Sequence, residues 1–150
     1  MNILFVCTAN ICRSFMAERI LKGKLEGKKS RIEKVSSAGI SAVVEGMAGD
    51  PKAAQILAEK GFDGQGHKSR LLTADMVDKS DKIIVMENIH REDIIGKYPA
   101  AEGKIYLLKT FWDSVSDEGI KDPYGLSNYH YRLCFAEIYM AIEGLVRKCI

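Results

Sequence analysis

The apolar run Asn2-Ile3-Leu4-Phe5-Val6 breaks abruptly into the polar stretch Cys7–Ser14, and from Phe15 onward the apolar residues change their period. A short apolar run without alternation reads as a strand buried on both faces. Met16, Ile20, Leu21 and Leu25 then recur at helical spacing, with Glu18, Arg19, Lys22 and Lys24 mostly facing away. Ser14 is the expected N-cap of that helix and Gly27 its stop. Strand, loop and helix in immediate succession point to a parallel sheet, because parallel strands need a crossover between them.

The alternation continues along the chain. Ile32–Ala38 reads as a second strand. Asp50-Pro51 opens a helix that runs through Lys60, with Pro51 at the first helical position and Gly61 beyond the end. Thr73–Lys79 is a short helix capped by Thr73, Asp81–Glu87 a third strand, Asn88–Ile95 a helix and Lys104–Leu108 a fourth strand. Ser127–Lys148 is a long amphipathic helix with Cys134, Ile138, Ala141 and Leu145 on one stripe. The expected fold is a doubly wound α/β sandwich with helices on both faces of the sheet. At 150 residues, without repeats or a Pro/Gly/Ser-rich linker, the chain is expected to be a single domain, 1–150.

Charge and cysteine usage narrow the class. Lys and Arg number 22 against 20 Asp and Glu, a net charge of +2, which is not the footprint of a nucleic-acid binder. The cluster Lys22–Arg31 is interrupted by Glu26 and reads as a solvated helix end and loop. No apolar run reaches the roughly 20 residues of a membrane span. The first residues lack the basic and apolar regions of a secretory signal, so the expected location is the cytoplasm, where thiols stay reduced. Cys7, Cys12, Cys134 and Cys149 do not have zinc spacing, and His67, His90 and His130 form no ligand pattern. No metal or cofactor is expected.

Ligands in such folds bind at the carboxyl ends of the strands, so the first loop is the place to look. It reads Cys7-Thr8-Ala9-Asn10-Ile11-Cys12-Arg13-Ser14. Backbone N–H groups in a strand-to-helix turn converge into an anion-binding nest, and the helix dipole adds to it. That field favours a thiolate, which is the nucleophilic form of cysteine. Arg13 stands six residues after Cys7, and its planar fork matches two oxygens of a phosphate. A Cys-x5-Arg pattern alone is weak; with this composition chance supplies about 0.2 matches. Of the four cysteines only Cys7 has it, and it falls between a strand and a helix. Phosphoryl transfer through sulfur also needs an acid for the leaving oxygen. Asp122, in the turn-forming stretch Lys121-Asp122-Pro123-Tyr124-Gly125, is the best candidate, and Tyr124 is placed to line a pocket for a flat side chain.

The segment Val6–Ser14 with Ala17-Glu18 resembles the signature of the low-molecular-weight protein tyrosine phosphatases. Ser37-Ala38-Gly39, His67-Lys68-Ser69-Arg70 and Asp122-Pro123-Tyr124 follow in the family's order, so the resemblance covers essentially the whole chain. It implies a three-layer sandwich around a four-stranded parallel twisted sheet, and metal-free hydrolysis of phosphate monoesters on phosphotyrosine proteins, with inorganic phosphate as product. By position it implies Cys7 as nucleophile, Arg13 as phosphate clamp and Asp122 as general acid and then base. Thr8, Ala9, Asn10, Ile11 and Cys12 would complete the phosphate loop. Ser14 would hydrogen-bond the Cys7 thiolate, and Asn10 would brace the loop with Ser37 and His67. Cys12 matches the family's second cysteine, which can pair with the nucleophile under oxidation. A cognate tyrosine kinase is a family-level expectation.

Three departures stand out. Ala9 occupies a position where glycine is common, which matters if its φ is positive. Phe15 replaces the usual proline and is expected to add apolar surface near the rim. Val43 and Val44 occupy the region where the family carries an aromatic residue.

Rival readings remain at this stage. A thiol-coupled arsenate reductase on the same fold needs a cysteine relay, yet no cysteine stands between Arg13 and Leu133. Family members that act on phosphoarginine carry threonine where this chain has Ile11, which suits a phenyl ring better. An anion-binding module without turnover would not need Cys7, Arg13 and Asp122 together.

Overall fold

The computed structural model describes residues 1–41, 45–113 and 118–149. Val43 and Val44 lie outside the described residues. Four parallel strands, β1 (Asn2–Cys7), β2 (Lys34–Gly39), β3 (Lys82–Val85) and β4 (Ile105–Leu107), form one sheet in the order β2-β1-β3-β4. The helices are α1 (Arg13–Leu25), α2 (Pro51–Glu59), α3 (Ala74–Lys79), α4 (Asn88–Lys97) and α5 (Asn128–Cys149). Each expected strand and helix is present. Short 3-10 turns at Pro99–Lys104 and Leu108–Phe111 flank β4; these had no signal in the apolar period.

β1 is central, and its side chains divide the core. Ile3, Phe5 and Cys7 face the layer made by α1, α2 and α5, while Leu4 and Val6 face the layer holding α3 and α4. Period-two alternation sends successive residues to opposite faces, so a strand covered on both sides must be apolar throughout. Leu4 and Phe5 are fully buried. Truncating either to alanine should cost about 2–5 kcal/mol through lost contacts and a residual cavity.

Helix ends follow local chemistry with one correction. Asp50 caps α2 by accepting from the Lys52 N–H at 2.9 Å, and Thr73 caps α3 through the Met76 N–H at 3.2 Å. α1 is not capped by Ser14. It begins at Arg13, with Cys12 at the cap position and no side-chain capping bond, so Ser14 lies inside the first turn. The Ser14 hydroxyl is engaged with Cys7 and Asn10 instead.

β2 ends where the loop after β1 begins, and the two backbones nearly touch. A Cβ on Gly39 would lie 2.7 Å from the Thr8 carbonyl oxygen and 2.9 Å from the Ala9 carbonyl carbon. Only glycine allows that approach. The contact is closed by the Ile40 N–H to the Cys7 carbonyl at 3.1 Å and the Ser41 N–H to the Thr8 carbonyl at 2.9 Å.

Candidate active site

Cys7 is the last residue of β1 and Arg13 the first of α1, so the loop between them sits at the carboxyl edge of the sheet, under the positive end of a helix. Within the described residues none of the backbone N–H groups from Thr8 to Cys12 donates a hydrogen bond. They are free to bind an anion. The loop turns at Asn10, whose φ of 59° makes it the only described non-glycine residue in the left-handed region. Asparagine tolerates that conformation better than most residues. Ala9 is not in that region, so the absence of glycine there causes no backbone strain.

A buried network holds the turn. The Asn10 side-chain amide donates to Ser14 Oγ at 2.8 Å and to Ser37 Oγ at 2.9 Å, and its Oδ1 accepts from the Arg70 N–H at 2.9 Å. Ser37 Oγ in turn donates to Glu18 Oε1 at 2.5 Å. His67 Nε2 donates to the Asn10 carbonyl at 2.6 Å. Burial lowers the His67 pKa, which keeps the ring neutral and the Nε2 proton on this bond. Asn10 is thus fixed through both backbone and side chain, and the network brings Asn10, Ser37 and His67 together.

Ser14 carries that order to Cys7. Its oxygen lies 3.0 Å from Cys7 Sγ. With Cys7 as a thiolate, which has no proton to give, the Ser14 hydroxyl is the donor of this contact. Cys12 and Cys134 are buried thiols whose pKa values burial pushes up, so both are neutral, and all four cysteines are unpaired.

Arg13 is 2% exposed and held on three sides. Nη1 donates to Glu87 Oε1 and to the Ile120 carbonyl at 2.8 Å; Nη2 lies 3.9 Å from Asp122 Oδ2. Burial alone would lower its pKa, but Cys7, Glu87 and Asp122 together raise it, so the guanidinium is permanently charged. Asp122 is half exposed at the mouth, with Oδ1 accepting from the Tyr124 N–H at 3.0 Å.

Three site residues escaped the sequence reading. Glu87 grips Arg13. His90, fully buried, accepts the Glu87 N–H on Nδ1 at 3.1 Å and therefore presents its Nε2 proton to Thr8 Oγ1 at 3.0 Å. Burial and the neighbouring Arg13 charge lower its pKa to about 4. The Ile120 carbonyl is the third. A capping signal, Glu87 with His90 three residues on, was present but points to helix geometry rather than to a site.

The mouth is a cleft of about 310 Å³ whose lining includes Cys7, Thr8, Ile11, Arg13, Met47, Asp122 and Tyr124. Ile11 and Tyr124 therefore stand where a flat substrate would lie. Phe15 does not reach this rim, contrary to expectation. It is fully buried and stacks on His67 with ring centroids 4.3 Å apart. An apolar side chain entering the first turn is drawn toward the core, where it packs behind the loop rather than beside its opening.

The family model for low molecular weight phosphotyrosine protein phosphatase matches residues 2–149. The low molecular weight protein-tyrosine-phosphatase Etp of Escherichia coli is 39% identical over 142 residues, 95% of this chain and 87% of its own. A protein-arginine-phosphatase of Geobacillus stearothermophilus is 36% identical over 148 residues, 98% of this chain and 95% of its own. The structure of Vibrio vulnificus Wzb in complex with benzylphosphonate superimposes with a TM-score of 0.87 at 33% identity, covering 98% of this chain and 97% of that one.

Proposed function

The chain belongs to the low molecular weight phosphotyrosine protein phosphatases, and on that premise we propose that it hydrolyses phosphotyrosine in proteins, and small aryl phosphates, through a cysteinyl-phosphate on Cys7. The observation that carries the assignment is the chain of contacts Asn10 to Ser14 to Cys7, which sets a hydroxyl 3.0 Å from sulfur inside a loop of free N–H groups.

The substrate phosphate docks on those N–H groups and on the Arg13 fork. The Cys7 thiolate attacks phosphorus, the sulfur–phosphorus bond forms and the ester P–O bond breaks. Asp122, protonated, gives its proton to the departing phenolic oxygen. Asp122, now a carboxylate, then takes a proton from water as that water attacks phosphorus; inorganic phosphate leaves and the thiolate returns. Donors fixed in advance around the equatorial oxygens stabilise the charge that builds up in the transition state.

Ile11, Met47 and Tyr124 offer an apolar mouth suited to a phenyl ring. Ile11 supports phosphotyrosine over phosphoarginine, although a relative of this chain is named for the second activity. Arsenate reduction finds little support: Cys134 and Cys149 are 3% and 6% exposed, poorly placed to hand a disulfide outward. A tyrosine kinase that makes the substrate is the implied partner. The unpaired cysteines suit a reducing cytoplasm. Among the described residues no helix is long and apolar enough to cross a membrane.

Turnover of para-nitrophenyl phosphate by the wild type, with vanadate as inhibitor, is the test. Cys7→Ser should abolish turnover, and an excess of EDTA should leave the wild-type rate unchanged. Full activity in the Cys7→Ser protein, or complete loss with EDTA, would overturn the mechanism.

A further inference from the structure

Behind the phosphate loop, on the side away from the substrate cleft, lies a second concavity of about 300 Å³. Its lining includes Arg19, Lys22, Lys34, Lys68, Arg70 and His67. Five of these are permanent cations at neutral pH. Two carboxylates answer them: Glu18, which binds Lys22 at 2.6 Å and lies 3.9 Å from Arg19, and Asp63, 3.5 Å from Arg19. The local balance is therefore +3, more than the +2 of the entire chain. Lys34 and Lys68 form no ion pair among the described residues, and Arg70 spends one guanidinium N–H on the Ser37 carbonyl at 3.2 Å. Like charges gathered in a concave surface repel one another unless an anion joins them, and the concavity focuses their field.

The geometry points to a second anion site here, one that takes a short condensed-phosphate chain and is coupled to the active site through Asn10. A single carboxylate would neutralise one of the three excess charges; a di- or triphosphate can meet all of them. The volume is that of about ten water molecules, enough for such a chain. Guanidinium forks and lysine ammonium groups are the side chains that suit phosphate oxygens.

Coupling follows from what else the lining residues touch. The Arg70 N–H holds Asn10 Oδ1, its guanidinium holds the Ser37 carbonyl, and His67 holds the Asn10 carbonyl. The left-handed turn at Asn10 depends on these bonds, so an anion that repositions Arg70 reaches the loop that cradles the substrate. Coupling of this kind is reciprocal: substrate-loop occupancy changes anion affinity by the same factor.

The proposed site needs no catalytic step, so its binding arm stands or falls independently of the phosphatase reading; only the coupling arm rests on that reading. Calorimetric titration with magnesium-free pyrophosphate, in protein whose substrate cleft is saturated with benzylphosphonate, should show one remaining site. Charge reversal at two exposed positions, Lys34→Glu with Lys68→Glu, should weaken it at least tenfold, and the milder Lys34→Gln with Lys68→Gln should weaken it by less. Both variants should hydrolyse para-nitrophenyl phosphate at the wild-type rate when pyrophosphate is absent. ATP binding as tightly as pyrophosphate would support the site and assign it to the phosphate chain alone; ATP binding tenfold more tightly would support it and assign it to a nucleotide. No residual site, or one indifferent to the charge reversal, would overturn the proposal. In kinetics, pyrophosphate should change kcat in the wild type and act only competitively in the charge-reversed protein. Purely competitive behaviour in both would overturn the coupling.

Discussion

Ser14 Oγ stands 3.0 Å from Cys7 Sγ and accepts the Asn10 amide proton at 2.8 Å, so a thiolate at Cys7 would take the serine's own hydrogen. When a phosphoenzyme breaks down, a hydrogen bond from Ser14 stabilises the departing thiolate. A hydrogen bond to a charged group is worth about 1.5–3 kcal/mol. Ser14→Ala should therefore lower kcat by about tenfold to a hundredfold with little change in KM. Its inactivation by iodoacetate should slow; inactivation at the wild-type rate would separate Ser14 from the Cys7 sulfur.

Asp122 faces Arg13 at 3.9 Å from a half-exposed position at the mouth, well placed to meet a leaving oxygen. Asp122→Asn should slow hydrolysis of phenyl phosphate by about 10²–10⁴-fold, the usual worth of a general acid. It should slow para-nitrophenyl phosphate much less in the phosphorylation step, because that leaving group needs little protonation. Equal losses in single-turnover measurements on the two substrates would remove the acid role.

His90 gives a pH-dependent contribution to stability. Its folded pKa of about 4 lies below the ordinary 6.5, so between those values the unfolded chain binds a proton that the folded chain refuses. Stability thus falls as pH drops from about 6.5 to about 4, by about 3 kcal/mol in all for this one group. His90→Gln can keep a donor toward Thr8 without titrating. Urea midpoints measured from pH 4 to 7 should show a shallower acid loss in that variant than in the wild type; parallel curves would contradict the assignment.

Ile11 lines the cleft beside Tyr124. Ile11→Thr places a hydroxyl in an apolar wall, a change of about 1–3 kcal/mol in discrimination. The ratio of kcat/KM for phosphoarginine over phosphotyrosine peptides should rise about tenfold. An unchanged ratio would show that selectivity is set elsewhere, for instance by Met47.

The parts of the site that could be read from the sequence are those the chain brings together locally. Cys7, Arg13 and Ser14 share one strand-to-helix turn, and their spacing in that setting points to it. Ser37 and His67 were placed only through the family resemblance, since neither has a local chemical signature. Glu87, His90 and the Ile120 carbonyl reach Arg13 or Thr8 from far along the chain, and only the sheet order β2-β1-β3-β4 brings them there. Ser14 and Phe15 show a different limit. Both suit a helix start by residue type or position, but Ser14 is claimed by Cys7 and Asn10, and Phe15 by His67. Tertiary contacts outweigh the local preference in each case.

The bond from Arg13 to the Ile120 carbonyl ties the proposed phosphate clamp to the segment that carries the proposed acid, Asp122, two residues later. Mutational drift in that segment would disturb transition-state recognition and proton delivery at once, so neither trait can wander alone. Among the described residues the side chains of Ile11, Met47 and Tyr124 make no hydrogen bond to Arg13 or Asp122. New substrate tastes in descendants of this sequence should therefore arise from changes at the gate, with the chemical engine inherited intact.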